Sequence, residues 1–274
     1  MRLRSLLYVP AHSERFVAKA HTCGADAIIL DLEDSVPESE KDAARDALAS
    51  AVADVAQSGA HVFVRINATD RMMQDADAAM AAGADGLMVP KVDGPADLET
   101  LSAHCIQIIA IVESARGLLA AQSIAAVPHV IALCLGGEDF ATETGAQPTA
   151  ETLRLPKLLT HYATKAEGKL SLGMLCSVAQ FDDAEGLRDA AAEAARFGFD
   201  GATCIHPSVV GVLNDAFAPD ADTVARAQRI VAAAQDAEAR GVGAFRLDGE
   251  FIDAPVVARA RQVLSKNKGN QRLD

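Results

Sequence analysis

The sequence predicts an α/β fold, a (β/α)₈ TIM barrel with a C-terminal extension of helices and a hairpin. The first observation is alternation, because short apolar, β-branched runs recur with Ala-rich helical stretches between them. The second is that most of these runs are apolar throughout, as in strands that are buried on both faces. The third is a repeated junction at residues 23–26, 82–85 and 197–200, where Gly ends a helix and Asp precedes a strand.

The predicted elements follow one another in strict alternation along the chain. The strands cover residues 3–9, 27–32, 62–66, 86–89, 106–112, 130–135, 170–176 and 201–205. The helices between them cover residues 12–23, 38–58, 70–82, 95–104, 114–126, 151–167 and 183–197. An open doubly wound sheet is the alternative fold, and it is disfavoured because no GxGxxG motif follows the first strand.

A closed barrel does not require the residues that follow the eighth strand. We expect the barrel to cover residues 1–216, and an extension of the same domain to cover residues 217–274. The extension is predicted to hold a helix over residues 221–240, a hairpin with Asp248 and Gly249 at its turn, and a last helix that begins at Pro255. Its position suggests a lid or an arm onto a neighbouring subunit.

Composition narrows the function classes. The chain has 274 residues, half of them hydrophobic, and a formal net charge of −13. This charge argues against non-specific binding to nucleic acid or to an anionic membrane, but it leaves a small anionic ligand open. Residues 117–137 carry no formal charge, yet their polar residues and Pro predict a helix, a loop and a buried strand and not a membrane span.

The cysteines indicate a reducing compartment. Their number is odd, their spacing is wide and they form no CxxC pair, so we expect reduced core residues in a cytoplasmic protein. A signal peptide is not expected, because the apolar run near the N-terminus is too short for one. The five cysteines are Cys23, Cys105, Cys134, Cys176 and Cys204.

Polar side chains follow the predicted strands at their carboxyl ends, where barrel enzymes carry their catalytic groups. Acidic side chains that face one rim repel one another without a cation, and oxygen ligands favour Mg²⁺, Mn²⁺ or Ca²⁺ over Zn²⁺. The alternative is that such residues cap the following helices, as Ser35, Ser114 and Asp139 would. The strand-end residues are Asp31, Glu33, Asp34, Arg65, Asn67, Lys91, Glu113, Ser114, Glu138, Asp139 and His206, of which we interpret His206 as structural.

Eight segments in order along the chain resemble the citrate lyase β-subunit family of CoA-ester lyases, which includes malyl-CoA and citramalyl-CoA lyases. Each segment is weakly specific alone, but together they span nearly the whole chain. The resemblance implies the barrel fold and a homotrimeric or hexameric assembly. The segments are RSLLYVP at residues 4–10, DLEDSV at 31–36, VRIN at 64–67, GADG at 83–86 with PK at 90–91, IVESARG at 111–117, LGGEDF at 135–140, CIHP at 204–207 and DGEFIDAP at 248–255.

The resemblance also implies roles for residues around a metal site. Glu113 and Asp139 correspond to the two metal ligands of the family, with Mg²⁺ as the expected ion and Mn²⁺ as the alternative. Glu33 and Asp34 correspond to residues that hold metal-bound water. Arg65 corresponds to the residue that contacts the keto-acid oxygen and the developing enolate.

Three further residues are assigned by resemblance at a distance from the metal site. Asp253 corresponds to an acid/base carboxylate that reaches a neighbour's active site. Arg15 and Lys19 correspond to a region that contacts the phosphates of CoA, although an ordinary solvated helix face is the alternative for that pair. The chain departs from the family at Ala11, where many members have Gly, and this change narrows the expected ligand entrance.

The expected reaction is retro-Claisen cleavage of a 3-hydroxyacyl-CoA thioester, which gives acetyl-CoA and a 2-keto acid. Citryl, malyl and citramalyl groups all remain open as the acyl group. One alternative is a metal-dependent pyruvate aldolase that acts on a free hydroxy-keto acid, with His12 or His21 as its base. Another is a subunit of a citrate lyase complex that acts on a carrier-bound acyl group.

Overall fold

The apolar runs pair in parallel to form the predicted barrel. A computed structural model describes residues 1–68, 70–102, 104, 106–175 and 183–268, and within them eight strands form one sheet in the order β7-β6-β5-β4-β3-β2-β1-β8. The strands are β1 Ser5–Pro10, β2 Ala27–Asp31, β3 His61–Arg65, β4 Gly86–Val89, β5 Gln107–Val112, β6 Val130–Leu135, β7 Leu170–Leu172 and β8 Ala202–Cys204. The barrel prediction is therefore confirmed.

The sheet closes into a barrel between β7 and β8. Leu172 forms a parallel bridge with Gly201, and the Gly173 N–H donates to the Gly201 carbonyl at 2.8 Å. A side chain at Gly201 would not fit, because a Cβ there would lie 1.8 Å from the backbone oxygen of Leu3. Closure at this point therefore depends on a glycine.

Helices connect the strands on the outside of the barrel. The helix predicted over residues 38–58 is divided at Ala47, where ψ is −4° and a new helix begins. Residues 103 and 176, at the ends of a predicted helix and a predicted strand, lie outside the described residues. The connecting helices are α1 Glu14–Ala20, α2 Lys41–Asp46, α3 Leu48–Val55, α4 Met72–Ala81, α5 Glu99–Ser102, α6 Ala115–Leu119, α7 Ala121–Ala125, α8 Gly137–Thr144, α9 Ala150–Ala166, α10 Ala184–Phe197 and α11 Pro207–Ala216.

The repeated Gly and Asp junctions have one structural explanation. Gly24, Gly83 and Gly198 have φ values of 71°, 81° and 97°, so each ends its helix in the left-handed conformation, as predicted. The Asp that follows each of them accepts the backbone N–H of a neighbouring strand. Asp26 accepts from Arg4 at 3.0 Å, and Asp85 and Asp200 accept from Val62 at 2.7 Å and Ser171 at 2.9 Å. The repeat thus fixes the amino ends of the strands.

Every second strand position faces the interior of the barrel. Leu6, Ile29, Phe63, Met88 and Ile109 are 0% exposed and form one apolar cluster there. The alternate positions pack against the helices in a second, larger cluster. This period of two decides which side chains face the barrel mouth where the strands end.

The chain divides into two compact units, Leu3–Phe217 and a second unit that contains Met1–Arg2 and Ala218–Asp274. The second unit contains α12 Ala221–Ala239, the hairpin strands β9 Phe245–Leu247 and β10 Glu250–Ile252, and α13 Ala254–Lys268. Asp248 and Gly249 at the turn have φ values of 51° and 85°, which fits a tight hairpin turn. That this segment acts as a lid or an arm stays a prediction.

Two further expectations concern cysteines and membrane spans. Cys134 and Cys204 are buried and Cys23 is half-buried, and all three are free thiols. Cys105 and Cys176 lie outside the described residues. In the part of the chain that the structure describes, no helix has both the length and the apolar character needed to cross a bilayer.

Candidate active site

A cavity of about 430 Å³ lies at the carboxyl ends of the barrel strands. Four of the predicted site residues line it, namely Asp34, Arg65, Glu113 and Asp139. Tyr8, Arg65 and Glu113 each come two residues after an inward-facing residue of β1, β3 or β5. Their side chains therefore face the interior at the mouth of the barrel. The polar side chains of the lining include Tyr8, Asp31, Asp34, Arg65, Glu113, Asp139 and Lys157.

Arg65 is held by a two-point ion pair with Asp31. Its Nε lies 2.6 Å from Oδ1 of Asp31 and its Nη2 lies 2.7 Å from Oδ2. The guanidinium also lies over the ring of Tyr8, 5.1 Å from the ring centroid. Burial would raise the pKa of Asp31, but the hydrogen bonds and charge of Arg65 outweigh burial and hold this pKa below its usual value. Arg65 is therefore a fixed, permanently charged group on the cavity wall.

Glu33 lies behind this wall, buried between two cations. Its Oε2 is 2.9 Å from Nη1 of Arg65, and its Oε1 is 3.0 Å from Nζ of Lys91. Both contacts are ion pairs by distance, yet neither oxygen has a partner with hydrogen-bond geometry among the described residues. Burial raises the pKa of Glu33 despite the two cations. Such a carboxylate has the capacity to accept a hydrogen bond from water.

Glu113 follows β5 and is oriented by the backbone of the segment that follows the neighbouring strand, β4. Its Oε2 accepts the N–H of Lys91 at 2.7 Å, and only 6% of the residue is exposed. Burial raises the pKa of Glu113 to about 7, and the charges of Glu33 and Asp139 add to this rise. A Cβ at Gly136 would lie 2.5 Å from Oε1, so the absence of a side chain there makes room for the carboxylate.

The sequence suggested that Asp139 directly follows its strand, but the structure places it further along the chain. β6 ends at Leu135, and Asp139 lies in the first turn of α8, where its side chain is exposed to the cavity. The backbone N–H groups of a helix N-terminus favour a carboxylate at this point. Asp34 is also exposed, and its carboxylate lies 3.0 Å from Nη1 of Arg65.

The side chains of the cavity fit a divalent cation with oxygen ligands, of which the protein would supply only some. Among the described residues, no three His, Cys, Asp or Glu side chains converge closely enough to form a complete protein cage. Glu113 and Asp139 instead supply two carboxylates on the wall of one cavity. Mg²⁺ is commonly bound through one or two carboxylates, with water and substrate oxygens completing its coordination.

Three further predicted residues, Arg15, Lys19 and Asp253, are not among the residues that line the cavity. Arg15 and Lys19 are exposed on α1, where the Arg15 guanidinium lies 5.8 Å from the ring centroid of Phe16, and neither residue lines the cavity. Asp253 lies in the second compact unit, and its carboxylate accepts the N–H of Val256 at 3.3 Å in the first turn of α13. The observed contact of Asp253 is that of a helix cap.

The comparisons with known proteins identify the family of this chain. The HpcH/HpaI aldolase/citrate lyase family model matches residues 4–207. The chain is 35% identical over 269 residues to the (3S)-malyl-CoA thioesterase of Cereibacter sphaeroides, covering 96% of this chain and 94% of that protein. It is 30% identical over 289 residues to citrate lyase subunit beta of Leuconostoc mesenteroides subsp. cremoris, covering 99% and 95%. This chain belongs to the HpcH/HpaI aldolase/citrate lyase family.

Solved structures of the family share the fold. The crystal structure of protein CitE from Mycobacterium tuberculosis, in complex with magnesium, acetoacetate and coenzyme A, has a TM-score of 0.79 and 33% identity to this chain. The match covers 96% of this chain and 97% of the CitE chain. A second structure of the citrate lyase beta subunit from M. tuberculosis is complexed with oxaloacetate and magnesium, with a TM-score of 0.70 and 32% identity, covering 80% and 98%.

Lys157 also lines the cavity. A search of strand ends does not find it, because it comes from a helix. It lies on the buried stripe of α9 with Leu153, Thr160 and Thr164, and only 7% of it is exposed. Its Nζ donates to the Met174 carbonyl at 2.9 Å. A lysine at a position where the helical period predicts an apolar residue was the available signal.

Two strand-end residues, Ser114 and His206, cap the helices that follow them, and for Ser114 capping is the alternative given above. The Ser114 hydroxyl accepts the N–H of Gly117 at 2.9 Å at the start of α6. His206 precedes α11, and its Nδ1 accepts the N–H of Ser208 at 3.3 Å. The structural interpretation of His206 agrees with this contact. Ser35 instead donates its hydroxyl to Asp31 and so supports the partner of Arg65.

Proposed function

We propose that this chain is a Mg²⁺-dependent carbon–carbon lyase that cleaves a 3-hydroxyacyl-CoA thioester into acetyl-CoA and a 2-keto acid. The observation that carries the proposal is a single cavity with a fixed guanidinium, Arg65, and two carboxylates, Glu113 and Asp139, on its wall. The CitE structure in complex with magnesium, acetoacetate and coenzyme A supports the choice of ligands.

Glu113 and Asp139 would hold Mg²⁺, with Mn²⁺ as the alternative ion. When bound, the ion supplies Lewis-acid polarisation of the substrate oxygens on the hydroxyl-bearing carbon. Glu33 and Asp34 would orient water beside it, since the Glu33 oxygens lack hydrogen-bond partners among the described residues and Asp34 is exposed.

Arg65 would stabilise the negative charge that develops on the thioester oxygen when the carbon–carbon bond breaks. Its charge persists at every physiological pH, and Asp31 prevents the guanidinium from rotating. A donor that is fixed before the reaction stabilises developing charge without a cost of reorganisation. The substrate hydroxyl loses its proton to water as its carbon becomes the keto group. The electron pair of the broken bond moves to the α-carbon of the leaving acyl-CoA, which must then receive a proton.

Asp253 would supply that proton, acting on the site of a neighbouring copy in a homotrimer or hexamer. In the reverse direction the same carboxylate would remove a proton from the α-carbon of acetyl-CoA. Arg15 and Lys19 would contact the CoA phosphates, and their exposure on one helix leaves them accessible to such a ligand. The small-molecule partners are thus a CoA ester and a 2-keto acid.

Hydrolysis of the thioester is a second candidate, because the relatives that are 35% identical are named (3S)-malyl-CoA thioesterase. Hydrolysis adds water to the thioester carbonyl and releases free CoA with the hydroxy acid intact. Carbon–carbon cleavage instead leaves the thioester intact in a shorter acyl-CoA. The two reactions therefore differ in every product.

The experiment is an assay of purified protein with malyl-, citramalyl- and citryl-CoA and Mg²⁺. Chromatography of the CoA species and trapping of keto acids would identify the products, and a free hydroxy-keto acid would serve as an aldolase control. We expect acetyl-CoA and a keto acid in equal amounts, lost when Mg²⁺ is chelated. Free CoA without keto acid would replace the lyase assignment with hydrolysis, and turnover of the control alone would indicate an aldolase.

A further inference from the structure

Lys91 has a backbone conformation that residues with side chains rarely adopt. It follows β4 and Pro90, and its φ of 56° lies in the left-handed region. A long side chain in that region is unfavourable unless the surrounding contacts hold it there. The only other non-glycine residues with positive φ among those that the structure describes are His129 and Asp248.

The unusual conformation lets one residue contact two buried acids of the site. The Lys91 N–H donates to Oε2 of Glu113 at 2.7 Å, and its Nζ lies 3.0 Å from Oε1 of Glu33. Glu113 and Glu33 are 6% and 5% exposed. The following residue is fixed by a separate bond, because the Val92 N–H donates to the Ile111 carbonyl of β5 at 3.1 Å.

We propose that Lys91 is a positioning residue with two separable roles, which rests on the proposed function of the cavity. Its backbone N–H, placed by the left-handed conformation, holds one carboxylate oxygen of Glu113 and so orients this candidate metal ligand. Its ammonium pairs with the Glu33 side chain and so positions Glu33 beside Arg65, where Glu33 orients water and the guanidinium. The backbone role acts on metal affinity, whereas the ammonium role acts on turnover.

Two substitutions separate these roles. Lys91→Gly removes the ammonium but favours the left-handed backbone, because glycine adopts positive φ without strain. Lys91→Val removes the ammonium and also disfavours positive φ, since a β-branched residue is a strong outlier there. His129→Val is the matched control, because His129 has a φ of 66° and is exposed outside the cavity.

Calorimetric titration of metal-free protein with Mg²⁺ measures the backbone role without any turnover. We expect Lys91→Gly to bind Mg²⁺ close to the wild-type affinity and Lys91→Val to bind about tenfold or more weakly, as when a group that orients a metal ligand is lost. His129→Val should lower thermal stability without changing Mg²⁺ affinity. Wild-type affinity in a folded Lys91→Val protein would overturn the backbone role.

Steady-state kinetics measure the ammonium role. We expect Lys91→Gly to lose about tenfold or more in kcat at saturating Mg²⁺, and Lys91→Arg to recover most of it because the charge returns. Full kcat in Lys91→Gly would overturn this role. If wild-type protein binds no Mg²⁺, the proposed function fails instead. In that case the Lys91 amide resonance, compared with that of Glu113→Gln, still tests the contact to Glu113.

Discussion

Asp31 and Arg65 are direct neighbours across two parallel strands, and they form a two-point ion pair at the mouth of the barrel. The register of β2 and β3 aligns the two residues, with distances of 2.6 and 2.7 Å between their paired atoms. Asp31 is 1% exposed, so this charge is almost completely removed from water. The planar guanidinium satisfies both carboxylate oxygens at once, which a lysine ammonium cannot do in the same way.

Arg65→Lys should therefore reduce activity although the positive charge remains. We expect a loss of two or more orders of magnitude in kcat/KM, about 3 kcal/mol in the barrier, because the two-point contact is lost. Arg71→Lys is the control, since Arg71 forms ion pairs with Glu38 and Asp42 and does not line the cavity. A near-normal rate for Arg65→Lys would show that Arg65 has only a structural role.

Asp31→Asn should destabilise the protein in a pH-dependent way. Removing one partner of a buried ion pair leaves Arg65 poorly compensated, and we expect a loss of about 3 kcal/mol in the free energy of unfolding near pH 7. The pKa of Asp31 is lower in the folded than in the unfolded chain, so its contribution is present above the ordinary carboxyl pKa. The contribution disappears as pH falls through the lowered folded value.

Thermal or urea unfolding between pH 7 and pH 3 measures this difference. The gap between wild type and Asp31→Asn should narrow as the solution becomes acidic. A gap that stays constant over the whole range would contradict a stabilising charge on Asp31 and would indicate a packing effect alone.

Glu113→Gln and Asp139→Asn should each abolish Mg²⁺-dependent turnover and leave the fold intact. Both changes keep the side-chain volume but remove a charged ligand, and so a hard cation loses half of its protein ligands. Circular dichroism and Mg²⁺ titration accompany the activity assay, with Asp54→Asn on the exposed face of α3 as a control. Mg²⁺-dependent turnover in both site variants would refute the ligand assignment.

Asp253 gives a prediction that separates capping from catalysis. Asn is as good a helix cap as Asp, so Asp253→Asn should keep the contact to Val256 and the stability of α13 while abolishing activity. Asp253→Ala should lose activity and also about 1 kcal/mol of stability. An active Asp253→Asn protein would show that the residue is only a cap.

Mixing two inactive variants tests whether sites are shared between copies. Mixtures of Asp253→Asn and Glu113→Gln should regain activity if subunits exchange, because some sites would combine an intact Glu113 with a neighbour's intact Asp253. No recovery, despite exchange shown by mass spectrometry of the mixed oligomers, would place Asp253 in the site of its own chain or outside catalysis.

The strands of the barrel could be predicted closely because burial on both faces leaves continuous apolar runs. Residues 86–89 and 130–135 were predicted with the bounds that the structure shows. The Gly and Asp junctions were also readable, since a left-handed cap requires Gly in one fixed place. The division of the predicted helix at Ala47 was not readable, because the Ala-rich pattern continues across it.

The cavity could be predicted only in part for a related reason. Residues at strand ends are found by position, and so Arg65 and Glu113 were identified as site residues. The pairing of Asp31 with Arg65 depends on strand register, and the left-handed φ of Lys91 depends on contacts distant in sequence. Lys157 reaches the cavity from α9, which no strand-end pattern predicts.

The most direct test of carbon–carbon cleavage is mass spectrometry of the acyl-CoA product after reaction in D₂O with Mg²⁺ and a 3-hydroxyacyl-CoA ester. Cleavage requires the α-carbon of the product to gain one proton from an exchangeable acid. We therefore expect acetyl-CoA with one solvent deuterium on its methyl carbon, together with a keto acid, and neither product with Glu113→Gln. Free CoA and an unlabelled hydroxy acid would contradict the lyase proposal.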